Sequence, residues 1–335
     1  MTRPNRGALR GSLRGTGAFL GASALLALAG CGGGGGGSND GTSNSTNANA
    51  NLPSVNLTAL TNNNRLVSFN SRTPRTSTIA TITGLTAGDT LRAIDFRFTP
   101  PTGTAGTNNG LTGLYGIAQN GTSLQLYRLV TSGTTATATR VGTRFDLIPT
   151  SPTPMAFGFD FNPTVDRIRL TEATGNRDLR LNPNVDDNTS PVVDSDPNAA
   201  GTQPDGVIAY DASDANNGKD PDAVGAAYTN VDADTTTGTT LYVLDSKNDT
   251  LAIQGRGTTG STDFVSPNAG NLFTVANLGL NLQADSGFDI SPSSNAAFVS
   301  NGNSIYGISL ATGAVTGGAN VSGLGVTLIG LAATS

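Results

Sequence analysis

The 335-residue sequence contains no histidine, no tryptophan, one cysteine, one glutamate and two lysines. The missing histidine excludes Ser-His-Asp and Cys-His catalysis, imidazole ligation of zinc and histidine-held haem. Without tryptophan the best stacking platform for sugars, quinone cofactors or bases is gone. Glu172, Lys219 and Lys247 are the only members of their residue types, which leaves the usual proton-transfer repertoire nearly empty. Cys31 stands alone, so no disulfide can form within the chain. Beyond the N-terminal leader, no stretch of ten or more residues keeps a helical period.

What remains points to β-structure. Forty-four glycines, runs of Thr, Asn and Ser, and only 13% charged residues describe many short strands joined by turns. The length suits one large all-β domain or two smaller ones.

Residues 1–30 read as a lipoprotein signal peptide. Arg3, Arg6, Arg10 and Arg14 precede an apolar run that closes on small residues. An apolar stretch of about 16 residues falls short of the roughly 20 that span a bilayer. Leu28-Ala29-Gly30-Cys31 resembles the lipobox of bacterial lipoproteins. That resemblance implies cleavage before Cys31 and lipidation of its sulfur and new N-terminus. Residues 31–52 then form a Gly/Ser/Asn tether, which as a flexible coil places the domain about 25 Å from the bilayer. Gly32 stands where an Asp would resemble an inner-membrane retention signal, so the expected address is the outer membrane, on its periplasmic or surface face. Four arginines leave with the leader, moving the net charge from −5 to −9. So acidic a chain excludes nucleic acid as a partner; an envelope protein or glycan is expected instead.

The rest of the chain, 53–335, repeats a phrase. In "MAFGFDFNP", Met155, Phe157, Phe159 and Phe161 alternate with Ala156, Gly158, Asp160 and Asn162, the period-two pattern of a strand buried on its large-residue face. "LRAIDFRF" repeats it around Asp95 and "SGFDIS" around Asp289. The spacing predicts a degenerate copy near residue 225, where "VGAAYTN" lies. Asn120-Gly121 and Asn301-Gly302 sit between short apolar runs, as hairpin turns do. Four units of about four antiparallel strands follow, at 90–142, 154–211, 223–279 and 286–323. "VTLIGLA" near the C-terminus supplies the inner strand of one more unit, with three outer strands from residues near 55–84. The pattern predicts an all-β propeller of four-stranded blades, five in number with six as the alternative, closed by N- and C-terminal strands sharing one blade.

The words "NRLVSFNS", "TLRAIDFRFTP", "GFDFNPTVDRIRL", "VGAAYTN", "GFDIS" and "IYGISLATG" together resemble, over roughly residues 55–332, the bacterial secreted family catalogued as domain of unknown function 4394. The resemblance implies a propeller-like extracytoplasmic domain. It carries no activity or catalytic residue to transfer.

Two groups of residues are candidates for chemistry. Asp95, Asp160 and Asp289 fall on inner strands, where they would either form a carboxylate ring at a central channel or accept hydrogen bonds from nearby turn amides and fix the blades. The second is the expected role, because the copy at 224–230 lacks the Asp. Residues 176–235 hold twelve of the chain's 23 aspartates. Within them Asp214, Asn216 and Asp220 alternate in "DANNGKD", a pattern whose hard oxygens suit calcium although it departs from an EF-hand at Gly218, Lys219 and the missing Glu. Calcium is therefore the one cofactor the sequence suggests, at Asp214, Asn216 and Asp220. Such a crowd of like charge needs water, Arg177, Arg180 or a cation to offset it. The functional expectation is a binding or interaction module of the cell envelope. The competing one is a carboxylate-dependent hydrolase or lyase of envelope or extracellular glycans.

Overall fold

The computed structural model describes residues 48–98, 111–146, 155–199, 201–230, 237–321 and 325–334. The signal peptide, Cys31 and most of the expected tether lie outside the described residues, as do Asp232 and Asp234.

The described residues form twenty strands and one 3-10 turn, Pro267–Ala269, with no α-helix among them. β1 (Asn56–Thr61), β2 (Arg65–Asn70) and β3 (Thr73–Thr83) are followed by β4 (Thr90–Arg97), β5 (Gly113–Asn120), β6 (Ser123–Ser132) and β7 (Thr135–Asp146). With β20 (Leu328–Ala333) they make an eight-stranded sheet in the order β20-β1-β2-β3-β7-β6-β5-β4. Its middle joint is a short parallel pairing of β3 with β7, Thr81 opposite Thr135 through Thr83 opposite Thr137. The end strands β20 and β4 touch, so this sheet curls into a nearly closed barrel around Leu60, Leu91, Ile94, Tyr127 and Ile329.

β8 (Phe157–Asn162), β9 (Arg167–Glu172) and β10 (Arg177–Leu181) form a three-stranded sheet. β11 (Ala209–Tyr210), β12 (Ala223–Tyr228), β13 (Leu241–Asp245), β14 (Thr250–Gln254) and β15 (Asn271–Asn277) form a five-stranded one. β16 (Gly287–Ile290), β17 (Ala297–Asn301), β18 (Ser304–Ile308) and β19 (Val315–Asn320) form the last. The degenerate copy expected near 225 is β12, and the expected C-terminal inner strand is β20, antiparallel to β1. Both expected hairpins are present, with Gly121 at φ 58° and Gly302 at φ 61° as the first loop residues between Asn120 and Ser123 and between Asn301 and Ser304.

The strands that end these sheets touch in a closed cyclic order: β4 meets β8, β8 meets β12, β12 meets β16, β16 meets β20 and β20 meets β4. Apolar clusters fill the spaces between neighbouring sheets. Tyr115 and Leu126 pack against Phe159, Phe161 and Leu170; Val224 and Leu244 against Phe288 and Val299; Phe298 and Ile305 against Leu57 and Leu331.

Two boundaries differ from the sequence reading. Residues 209–210, expected to close the second unit, pair in parallel with Asn271 and Leu272 of β15 and so belong to the third sheet. The second sheet gains only an isolated bridge, Leu181 to Val192. In that stretch the side chains of Asn182, Asp186, Asp194 and Asp196 each accept the N–H two residues on, a local alternative that withdraws the backbone from a ladder. Asn49 and Leu52, expected in the tether, are buried: Asn49 donates to the carbonyls of Ser71 and Ile305 and accepts from the N–H of Ala319.

Candidate functional site

The repeated phrase is a seam. Four end strands carry a Gly two residues before the Asp position: Gly158 and Asp160, Gly225 and Ala227, Gly287 and Asp289, Gly330 and Ala332; β4 has Ala93 and Asp95. The glycines are needed for close approach. A Cβ at Gly158 would stand 2.6 Å from Ala226 N, one at Gly225 2.6 Å from Phe288 Cβ, and one at Gly287 2.7 Å from Gly330 C. At Gly158 and Gly287 the neighbouring strands therefore come together backbone to backbone, and at Gly225 a Phe288 side chain fills the space.

Each aspartate bonds across its seam. Asp95 accepts the N–H of Phe161 at 2.8 Å and Asp160 that of Tyr228 at 2.8 Å, while Asp289 accepts that of Ala333. Asp95 and Asp289 also accept the N–H of the residue that follows each of them, both at 2.6 Å. The acceptor role expected for these residues is real, but the donors are strand amides of the neighbouring sheet rather than turn amides. The three carboxylates also converge, with one oxygen from each lying within 4.8 Å of the others. All three residues are 4% exposed. Burial pushes the Asp95 carboxyl up to about 7, and burial together with the neighbouring carboxylates raises Asp160 and Asp289 well above the ordinary range. Protons shared within the trio, or a cation, would relieve that repulsion.

The rest of "GFDFNPTVDRIR" clamps the same seams. Asp166, in the left-handed region at φ 51°, pairs with buried Arg97 of β4, and both bond Asn184. Arg169 donates to Asp178 at 2.7 Å, Asp205 at 2.8 Å and Asn268 at 2.7 Å, while Arg180 holds Asp205 from the other side at 2.7 Å. Two aspartates of the acidic stretch, Asp178 and Asp205, are thus offset by arginine.

Above the trio lies a cavity of about 350 Å³, to which the strand-start region of all five end strands contributes. Arg92 of β4, Met155 ahead of β8, Asp222 and Val224 at β12, Asp285 ahead of β16 and Ile329 of β20 line it. Arg92 precedes Asp95 by three residues, so the cavity sits about 10 Å along the strands from the carboxylates. Those carboxylates do not line it. The Arg92 Nε is buried with no hydrogen-bond partner among the described residues. Burial lowers the guanidinium's pKa while Asp285 opposes the shift, and burial raises the carboxyls of Asp222 and Asp285.

A family model described as "Domain of unknown function (DUF4394)" matches residues 65–332. The chain belongs to this family. No curated protein matches the sequence significantly. Among solved structures, a luciferin-regenerating enzyme is similar at 12% identity and TM-score 0.34, covering 78% of this chain and 70% of that one.

The residues expected to hold metal in this DUF4394 chain make hydrogen bonds within the fold. Asp214 accepts from the N–H of Asn216 and from both the N–H and hydroxyl of Thr274, and Asn216 donates to that hydroxyl. Asp220 accepts from Asn176 and from Lys247, both at 2.6 Å. Arg92, Asp222 and Asp285 were not candidates on sequence. The available signal was positional, since polar residues stand just ahead of a repeated apolar strand, and three such strands were already aligned.

Proposed function

We propose that this DUF4394 protein is a lipid-anchored protein of the bacterial cell envelope whose body is a five-bladed β-propeller that binds a small molecule in its axial cavity. The cyclic contact of five end strands supports the propeller, and the lipobox ending at Cys31 supports the anchor. One observation carries the binding role: a single cavity takes residues from within or just ahead of every end strand and holds two carboxyls beside a guanidinium whose buried Nε has no hydrogen-bond partner among the described residues. Concave sites with a few convergent polar groups over an apolar floor are how proteins hold small ligands. The acidic trio is buried beneath that floor, out of a substrate's reach, which favours binding over carboxylate catalysis. A calcium ion at Asp214 and Asp220 would have to displace Thr274 and Lys247, so the ligand is assigned to the axis.

Crystals soaked in a library of small polar fragments test the binding role. Density is expected in the axial cavity, and a library that leaves the cavity empty while occupying other surfaces sinks the reading. The anchor is tested by palmitate labelling and fractionation of Cys31→Ser, expected to lose the label and leave the membrane.

A further inference from the structure

Resting on that reading of the axial cavity, we infer that its ligand is a small zwitterion of the apolar α-amino acid type, with its carboxylate on Arg92 and its ammonium facing Asp222.

The cavity holds charges of both signs: Arg92 beside Asp285, and Asp222 from a third end strand. Arg92 and Asp222 line the same cavity from β4 and from the start of β12, two end strands that are not neighbours in the cyclic order. Arg92 makes no hydrogen bond to any described residue, and its Nε is fully enclosed. A guanidinium presents five N–H donors in a planar fork matched to a carboxylate, and a buried donor left unfilled is costly. Asp222 spends its backbone N–H on Asp245 at 2.9 Å and its carbonyl on Ser246 at 3.0 Å, but its carboxylate has no hydrogen-bond donor among the described residues. Lys247 acts on it only through space and is itself paired with Asp220. The carboxyl is thus held towards neutrality by burial, the condition an incoming ammonium relieves.

The rest of the lining selects against other classes. Asp285, the charged group acting on Arg92, together with Asp222 gives the cavity more carboxyls than cations, so a simple anion meets repulsion as well as Arg92. A simple cation leaves the Arg92 Nε–H without an acceptor. Met155, Val224 and Ile329, each less than 10% exposed, give the same cavity an aliphatic lining. A molecule with both charges and a short aliphatic side chain answers all three features. A cavity of about 350 Å³ is of the size that holds one such molecule.

The test is calorimetric titration of the full chain in detergent with L-leucine, with L-leucinamide, which lacks the carboxylate, and with 4-methylpentanoate, which lacks the ammonium. Leucine is expected to bind at least tenfold more tightly than either analogue. In Arg92→Met the preference over leucinamide disappears, and in Asp222→Asn the preference over 4-methylpentanoate disappears. Arg92→Lys keeps a reduced preference, and an unchanged melting temperature shows each variant folded. Equal binding of all three compounds, preferences that survive both substitutions, or no leucine binding at millimolar concentration overturns the inference. Fragment density in the cavity alongside any of these results leaves the binding role standing and removes only the zwitterion.

Discussion

The carboxylate of Asp160 accepts the N–H of Tyr228 at 2.8 Å across the seam between the second and third sheets. Asp95 and Asp289 do the same at two other seams, and the shared register is what brings three like charges together. The seams gain a charge-assisted bond each, and the trio bears repulsion in return.

That arrangement sets a pH dependence. The Asp95 carboxyl is raised from an ordinary 3.8 to about 7 in the folded protein, mainly by burial. Between those values the unfolded chain ionises while the folded one stays protonated, so the unfolded state is favoured increasingly as pH rises. Stability contributed by the protonated Asp95 is complete below about 4 and lost as pH climbs through about 7. Melting temperature is expected to rise as pH falls from 8 to 5, an effect on the order of a few kcal/mol, and thermal melts by circular dichroism across that range measure it. A flat profile would mean a resident cation already neutralises the cluster.

Asp160→Asn separates the bond from the charge. The amide oxygen still accepts from Tyr228, and the NH₂ donates to the flanking carboxylates in place of a shared proton. The variant is expected to melt above the parent at pH 8, with the advantage shrinking towards pH 5. Asp160→Ala leaves the Tyr228 N–H unanswered in a buried seam and is expected to cost about 1–3 kcal/mol at pH 5, less at pH 8 where it also removes a repelling charge. Differential scanning calorimetry at the two pH values compares all three proteins.

The seams were half legible in the sequence. The alternation of Phe157, Phe159 and Phe161 against Gly158 and Asp160 marks an end strand, because a large-residue face and a small-residue face have different periodic signatures. The spacing between copies located β12 although its Asp is Ala227. The convergence of Asp95, Asp160 and Asp289 was not legible, since it depends on how far each strand is shifted along its neighbour, which tertiary packing sets. The second sheet's missing fourth strand was hidden for a related reason. Asn and Asp bonds to local amides compete with the ladder, and hydrophobic pattern does not register that competition. Spacing likewise says nothing of Thr274 and Lys247, which reach Asp214 and Asp220 from elsewhere in the chain.

Arg169 carries the second layer of the seam, and its loss has a definite sign. It is 3% exposed and answers both Asp178 and Asp205. Arg169→Met leaves buried Asp178 without its counter-charge and Asp205 with Arg180 alone, expected to cost about 3–5 kcal/mol. Asp178 is already raised to about 7, chiefly by burial and against the pull of Arg169. Removing that pull raises it further, so the deficit is expected to be larger at pH 8 than at pH 5. Urea denaturation at both values reads the difference, and equal deficits would show that packing, not charge, is what Arg169 supplies.

The C-terminal strand decides whether the sheets form one cooperative body. All six residues of β20 are buried, and it pairs with β1 from Leu57 opposite Ala333 to Thr61 opposite Leu328. It also touches β4 and β16, and its Ala333 N–H goes to Asp289. Deleting residues 328–335 exposes the edge of β1, removes Leu328, Ile329 and Leu331 from two apolar clusters, and opens the cyclic contact at two places. Each large side chain contributes about 1.5–3 kcal/mol by burial, a sum comparable with the whole stability of a domain. The truncated chain is therefore expected to lose its cooperative transition and its near-ultraviolet dichroism together. Adding the eight-residue segment back as a peptide should restore both, because the groove between β1, β4 and β16 is shaped for it. A truncated protein that melts at the parent's temperature would show that the other sheets stand without closure, and the propeller reading would fall with that result.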